Sequence, residues 1–265
     1  MKTISSPSNP LIKSLLQLQS KSRERRNREL FLVEGRREIS LAISGGYQLE
    51  QLLYCPDLLT EDELRKIIEG SQAELISITK EVYERLAYRP STEGIVATFK
   101  AEDHQIENFR PESDNPLILI AEAPEKPGNI GALLRTADAA AVDAVIIANP
   151  RTDLYNPNII RGSVGTLFTV QVYQGSTDEI INWLKEHRIN IYCAALQASV
   201  SYLNVDMQGP TALVVGTEAD GLSDEWLNNS NQNIIIPMSG AIDSMNVSVA
   251  AGILIFEAKR QRTSP

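Results

Sequence analysis

Residues 117–140 read LILIAEAPEKPGNIGALLRTADAA. The run Leu117–Glu122 is almost wholly apolar, and Pro124, Pro127 and Gly128 interrupt it before a helical pattern begins. An uninterrupted apolar run of this length, closed by turn residues, reads as a strand covered on both faces. The same signal recurs downstream. Ala144–Ala148, Thr169–Tyr173, Asn190–Ala194, Ala212–Val215 and Asn233–Ile236 are short β-rich runs, with helical patterns between several of them. That alternation predicts an α/β fold with a mostly parallel sheet and helices on both faces.

Upstream, residues 100–116 (KAEDHQIENFRPESDNP) are polar, acidic and broken by two prolines. They are read as a linker, 101–116, between a domain at 1–100 and a domain at 117–265. The first domain carries its own strand and helix signals. Asn9-Pro10 has the form of a helix start, with Leu11, Leu15 and Leu18 on one face. Strands are expected over FLVEG at 31–35, Leu49–Cys55, Glu74–Ile78 and Gly94–Phe99. Helices are expected through Ile39 and Ile43 up to Gly45-Gly46, over Glu61–Glu69 and over Thr79–Leu86. The result is a small α/β unit of about 100 residues.

The formal net charge is −9, which by itself disfavours a nucleic-acid partner. Its distribution reverses that inference. Residues 1–37 hold nine Lys or Arg against three acids, a net +6, and the rest of the chain carries −15. A basic arm on an acidic body predicts one localised anion-binding face, with Lys13, Lys21, Arg23, Arg25, Arg26 and Arg36 as its candidates. No apolar run approaches the ~20 residues of a membrane span, and the N-terminus lacks a signal-peptide core. A cytoplasmic protein with buried free thiols at Cys55 and Cys193 is therefore expected.

Three segments have chemical potential. In EAPEKPGNIGALLRTADAA (122–140), a helix is expected to open near Asn129, and Arg135 follows six residues later. Free N–H groups at such an opening suit polar ligands. In VVGTEADGLSDEW (214–226), a buried strand ends at Val215, and Gly216, Thr217, Glu218 and Gly221 precede a helix expected near Ser223. Ligands of open α/β sheets bind at the carboxyl ends of strands, and glycines there admit close approach. In IPMSGAIDSMNVSVAAGILIFEAKRQR (236–262), a strand end and loop carry Ile236, Met238, Ser244, Met245 and Asn246 into a helix apolar on nearly all sides from Val247 to Phe256. Such a helix belongs in a core or an interface. The chain has no G-x-G-x-x-G after a first strand, no phosphate loop and no G-x-S-x-G elbow. His104 and His187 lack metal-ligand spacing, so no metal is expected.

Each segment alone also fits an ordinary capped helix or strand–turn–helix joint. Taken in this order, they resemble the motifs of the SpoU (TrmH) family of RNA 2′-O-methyltransferases: Asn129 with Arg135, Gly216-Thr217-Glu218 with Gly221, and Ile236-Pro237-Met238 running to Ser244-Met245-Asn246. Met245 stands where the family more often has leucine. Arg161-Gly162-Ser163-Val164-Gly165 resembles a further family stretch. SNPLIKSLLQLQSKSRERRNRELFLVEG resembles the substrate-binding domain of many members, which is similar to a small RNA-binding ribosomal protein fold.

The resemblance implies a trefoil α/β knot in the C-terminal domain, an exception to ordinary chain topology that periodicity does not reveal. It also implies S-adenosylmethionine as methyl donor, bound by Gly216, Thr217, Gly221, Ile236, Met238 and Met245. Arg135, Asn129, Glu218, Ser244 and Asn246 would form the catalytic group. The implied assembly is a homodimer acting on structured RNA, ribosomal RNA before transfer RNA, with no DNA or membrane partner. Two classes compete: a non-catalytic RNA-binding or assembly protein that retains the fold, and an α/β enzyme binding a nucleotide or dinucleotide, against which the missing glycine fingerprint and phosphate loop weigh.

Overall fold

The computed structural model describes residues 2–69, 73–88, 93–197, 199–217, 220–241 and 244–263. Its contacts divide the chain into two units, Met1–Asp103 with Asp153–Thr169 and His104–Thr152 with Val170–Pro265.

The first unit contains β1 (Lys2–Ile4), α1 (Pro10–Ser20), α2 (Ser22–Arg28), β2 (Leu30–Glu34), α3 (Arg36–Ser44), β3 (Leu49–Tyr54), α4 (Glu61–Ile67), β4 (Glu74–Ile78), α5 (Lys80–Leu86) and β5 (Ile95–Lys100). Its sheet runs β1-β4-β3-β5-β2. The β1-β4 and β4-β3 pairs are parallel, and β5 is antiparallel to both β3 and β2. Asn9 caps α1 by accepting the Leu11 N–H at 2.9 Å, and Pro10 occupies the first helical position. Ile12, Leu15 and Leu18 of α1 close over Leu32, Leu53, Ile76 and Val96 of the sheet.

A piece of chain from far downstream, Asp153–Thr169, belongs to this unit and contains α7 (Pro157–Gly162). Phe31 stacks on Tyr155 with ring centroids 4.0 Å apart, and Phe99, Phe168 and Tyr47 complete the aromatic cluster. Burial pushes the Tyr47 phenol well above its ordinary range and Tyr155 up to about 12, so both stay neutral.

The second unit contains β6 (Leu117–Glu122), α6 (Pro127–Ala139), β7 (Ala144–Ala148), β8 (Val172–Gly175), α8 (Thr177–Glu186), β9 (Asn190–Ala194), β10 (Val200–Ser201), β11 (Thr211–Val215), α9 (Asp224–Asn229), β12 (Gln232–Ile235) and α10 (Val247–Thr263). The sheet order is β10-β12-β9-β11-β6-β7-β8, and every pair is parallel. Ile118, Ile120, Ile146, Ile191, Ala212 and Val214 face Ile180, Leu184 and Trp226 of α8 and α9. The alternate residues Leu117, Leu119, Val145 and Leu213 are equally buried, and α10 packs on α6, β6 and β11. Burial on both faces is the reason these strands are continuous apolar runs rather than alternating ones.

Two expectations shift. The strand expected at Thr169–Tyr173 forms at Val172–Gly175, because Gly165 adopts φ +85° and Thr166–Phe168 winds into a 3-10 turn within the first unit. The stretch expected as linker is anchored over much of its length. Gln105 bridges to Gln174, Ile106–Asn108 forms a 3-10 turn, and Phe109 is buried against Tyr173 and Trp183 at 4.7 and 4.9 Å. Apolar Ile106 and Phe109 within an acidic stretch are what hold it there.

Candidate active site

Strand order reverses on either side of β6, with β7 and β8 to one side and β11 and β9 to the other. A reversal of this kind opens a crevice at the carboxyl ends of the strands. The chain leaves β6 and β11 there, into two of the three motif segments.

The segment after β11 is a tight loop. A Cβ on Gly216 would lie 2.2 Å from the Gly221 carbonyl carbon and oxygen, so only glycine fits. Thr217 and Gly221 exchange backbone hydrogen bonds at 3.0 and 3.2 Å, and the Thr217 hydroxyl accepts the Asp220 N–H at 3.0 Å. Gly221 takes φ +71°, a left-handed conformation costly for other residues. Glu218 lies outside the described residues.

A cavity of about 560 Å³ opens beside this loop. Its walls come from the ends of three neighbouring strands: Ala194–Gln197 after β9, Val215–Thr217 after β11, and Ile234–Ile236 with Met238 at and after β12. Gly221, Ser244 and Met245 also line it, so every expected donor-contact residue and Ser244 converge on one space. Among the described residues, Asp220 and Asp224 are the ionisable groups of the lining, and no Lys, Arg or His lines it. A cavity with carboxylates and no cation suits a cationic ligand and disfavours a phosphate-bearing one such as NAD or ATP. Asp224, Leu227 and the β9 end were not anticipated, because sequence pattern does not say which strands are neighbours.

Asn246 links two motifs. Its Oδ1 accepts the Ser248 N–H at 2.9 Å and the Ser248 hydroxyl at 2.6 Å, which caps α10. Its Nδ2 donates to Asn129 Oδ1 at 3.2 Å. Asn129 lies in the first turn of α6, which begins at Pro127 with Lys126 as its cap residue. Helices α6 and α10 lie close together. A Cβ on Gly252 of α10 would lie 3.6 Å from Cγ2 of Thr136. Arg135, beside Thr136, is exposed and has no hydrogen-bond or ion-pair partner among the described residues. It does not line the cavity. Ser163 is also elsewhere: it is buried in the first unit, with its hydroxyl donating to the Ile160 carbonyl.

The basic candidates separate into two groups. Lys13, Lys21, Arg23 and Arg26 are exposed on or between α1 and α2. Arg25 is buried, ion-paired through Nε with Asp153, and donates from Nη1 to the carbonyls of Leu18 and Gln19 at 2.6 and 3.1 Å. Arg36 is also committed, to Glu63 at 2.8 Å and to the carbonyls of Leu58 and Glu93. These two are corrections to the expected anion-binding face, since their guanidinium groups already have protein acceptors. Among the described residues no group of three His, Cys, Asp or Glu could hold a metal ion, and no helix is long and apolar enough to cross a membrane.

Comparison with known proteins agrees with this geometry. The SpoU rRNA Methylase family matches residues 116–256, and the MRM3-like substrate binding domain matches residues 9–97. The 23S rRNA (guanosine(2553)-2'-O)-methyltransferase RlmP of Bacillus subtilis (strain 168) is 27% identical, over 98% of this chain and 100% of its own length. A crystal structure of an RNA 2'-O ribose methyltransferase is 37% identical, with TM-score 0.85 over 99% of this chain and 100% of that one. The AdoMet-bound rRNA methyltransferase from Sinorhizobium meliloti is 25% identical, with TM-score 0.90 over 99% of both chains. The likeness covers both units, and the structural neighbours include SpoU methyltransferases, whose fold is the α/β knot.

Proposed function

This chain belongs to the SpoU rRNA Methylase family, and from that membership we propose that it transfers a methyl group from S-adenosylmethionine to a ribose 2′-hydroxyl in ribosomal RNA. The observation that carries this reading is the cavity. Gly216, Thr217, Gly221, Ile236, Met238 and Met245 meet at the ends of β11 and β12, around a lining that, among the described residues, has two carboxylates and no cation. S-adenosylmethionine supplies an electrophilic methyl on a positively charged sulfur. Asp220 and Asp224 complement that charge, and the Gly216–Gly221 turn lets a ligand approach backbone groups.

The methyl carbon bonds to the 2′-oxygen as its bond to sulfur breaks, and the hydroxyl proton must leave. Arg135 is not the base, because a guanidinium keeps its proton above pH ~12. Its exposed, unpartnered fork instead binds the RNA phosphate beside the target ribose and orients the hydroxyl, with phosphate or water accepting the proton. Asn129 and Asn246 tie α6 to α10 and hold the reacting geometry, with Ser244 at the cavity edge. Glu218 is assigned to the same group on its motif position alone.

Residues 1–100 hold RNA through Lys13, Lys21, Arg23 and Arg26, and residues 117–265 hold the donor. The exposed apolar residues Val249 and Phe256 of α10, 54% and 52% accessible, continue through Ile253 as one stripe, which favours a homodimer packed on this helix. A cytoplasmic location follows from the substrate. The direct test is thermal stabilisation by ligand. S-adenosylmethionine should raise Tm while NAD and ATP leave it unchanged; stabilisation by NAD or ATP alone would overturn the reading.

A further inference from the structure

Glu122, the last residue of β6, is buried, with 7% of its surface exposed. Its Oε2 accepts the Ser223 N–H at 2.8 Å, and its Oε1 accepts the Ser223 hydroxyl at 2.8 Å and the Thr177 hydroxyl at 3.4 Å. Thr177 is held in turn by Asn149, which donates to the Thr177 hydroxyl at 2.9 Å and accepts the Thr177 N–H at 3.2 Å. No Lys, Arg or His pairs with Glu122 among the described residues. A buried carboxylate without a cation is costly, and the three hydrogen bonds only offset that cost. The neighbouring strands end in Ala148, opposite Glu122, and Val215, opposite Ala121, so packing alone does not call for a carboxylate.

The carboxylate grips one residue through two donors. Ser223 precedes α9 and directly follows the loop residues that wall the donor cavity, Gly216, Thr217 and Asp220 to Leu222. The near end of that loop is fixed by β11, which is paired on both sides. Thr217 and Gly221 pair across it. Among the described residues, Ser223 is where a side chain from another strand holds its far end. We propose that Glu122 is a positioning residue for the methyl donor: by binding both the N–H and the hydroxyl of Ser223, it sets the loop at the spacing that S-adenosylmethionine requires.

This inference rests on the methyltransferase reading above, and the experiment separates the two. Full-length wild type, Glu122→Gln, Ser223→Ala and Ser223→Thr are compared. The readouts are S-adenosylmethionine affinity by calorimetry, KM for the donor and kcat on ribosomal RNA from cells lacking the gene, and Tm without ligand. Gln directs an amide N–H₂ at one of the two Ser223 donors, Ala removes one donor, and Thr keeps both. The expected result is a donor KM and Kd raised at least tenfold in Glu122→Gln and about threefold in Ser223→Ala, with kcat within threefold of wild type. Ser223→Thr should match wild type within twofold, a rescue that loss of bulk packing would not give. Wild-type donor affinity in a folded Glu122→Gln, or an equal fall in kcat, overturns the inference alone. If Glu122→Gln does not fold, the serine pair decides: Ser223→Ala equal to wild type overturns it. Wild type that binds no donor overturns the methyltransferase reading and this inference with it.

Discussion

Two helices, α2 in the first unit and α6 in the second, each carry an arginine that the sequence marks as functional. On α2, Arg25 is buried against Asp153 and two backbone carbonyls. On α6, Arg135 is exposed and has no protein partner among the described residues. The residue type is the same and so is the charge. The difference is whether the fold already supplies acceptors for a rigid five-donor fork. Where it does, the arginine holds structure together; where it does not, the fork is available to a substrate. Asp153 is 128 residues from Arg25, on a segment whose neighbours in sequence belong to the other unit.

This contrast predicts opposite consequences for the same substitution. Arg25→Ala empties a buried site and leaves the half-buried Asp153 without its partner, and should cost about 3 kcal/mol of stability, the low end of the range for breaking a buried ion pair. Denaturant melts monitored through the first unit check this, and donor affinity should stay within twofold. Arg135→Ala should leave Tm within a degree or so and lower single-turnover methylation about 100-fold, roughly 2.7 kcal/mol of transition-state stabilisation. If Arg135→Ala melted early while retaining activity, the two roles would have to be exchanged. The double variant Arg23→Ala/Arg26→Ala, on exposed α2 positions, should weaken RNA binding in a salt-dependent way. It should reduce the slope of log affinity against log salt by about 2, with no change in donor binding.

The smallest effect is in the acid range. Glu257 on α10 is held at a pKa of about 2 by hydrogen bonds from Arg260 and Gln261, below its ordinary 4.5. A depressed carboxylate contributes stability that is complete above pH ~4.5 and disappears as pH falls towards 2. The Tm gap between wild type and Glu257→Gln should therefore be widest at neutral pH and close as pH falls through that window. A gap that widens on acidification would contradict the assignment.

The strands of the second unit were legible because burial on both faces leaves a plain signature. Leu117–Glu122, Ala144–Ala148 and Asn190–Ala194 form with the bounds expected. The residues expected to contact a donor were picked out by their motif order, and all of them line one cavity. Strand adjacency was not legible. The β9 end, with Ala194 to Gln197, lies against the same cavity through pairing between β9, β11 and β12 that no local pattern encodes. Nor could local pattern show that Asp153–Thr169 folds with the first unit, or that Arg25 and Arg36 are already occupied. Asn129 was placed near the start of its helix, and Pro127 starts α6 two residues earlier; what was not legible is the hydrogen bond that Asn246 donates to its side chain. In each case a partner distant in sequence decides what a residue does; Arg25 and Asp153 are 128 residues apart, and Asn129 and Asn246 are 117 apart.

The central claim is that the second unit transfers a methyl group to ribose in ribosomal RNA. Its most direct test is incubation of the protein with methyl-labelled S-adenosylmethionine and total RNA from cells lacking the gene, followed by nucleoside analysis and mapping. The account predicts label at a 2′-O-methyl ribose in ribosomal RNA, incorporated about 100-fold more slowly by Arg135→Ala. Label on a base, label confined to transfer RNA, or no transfer by a protein that binds the donor would contradict it.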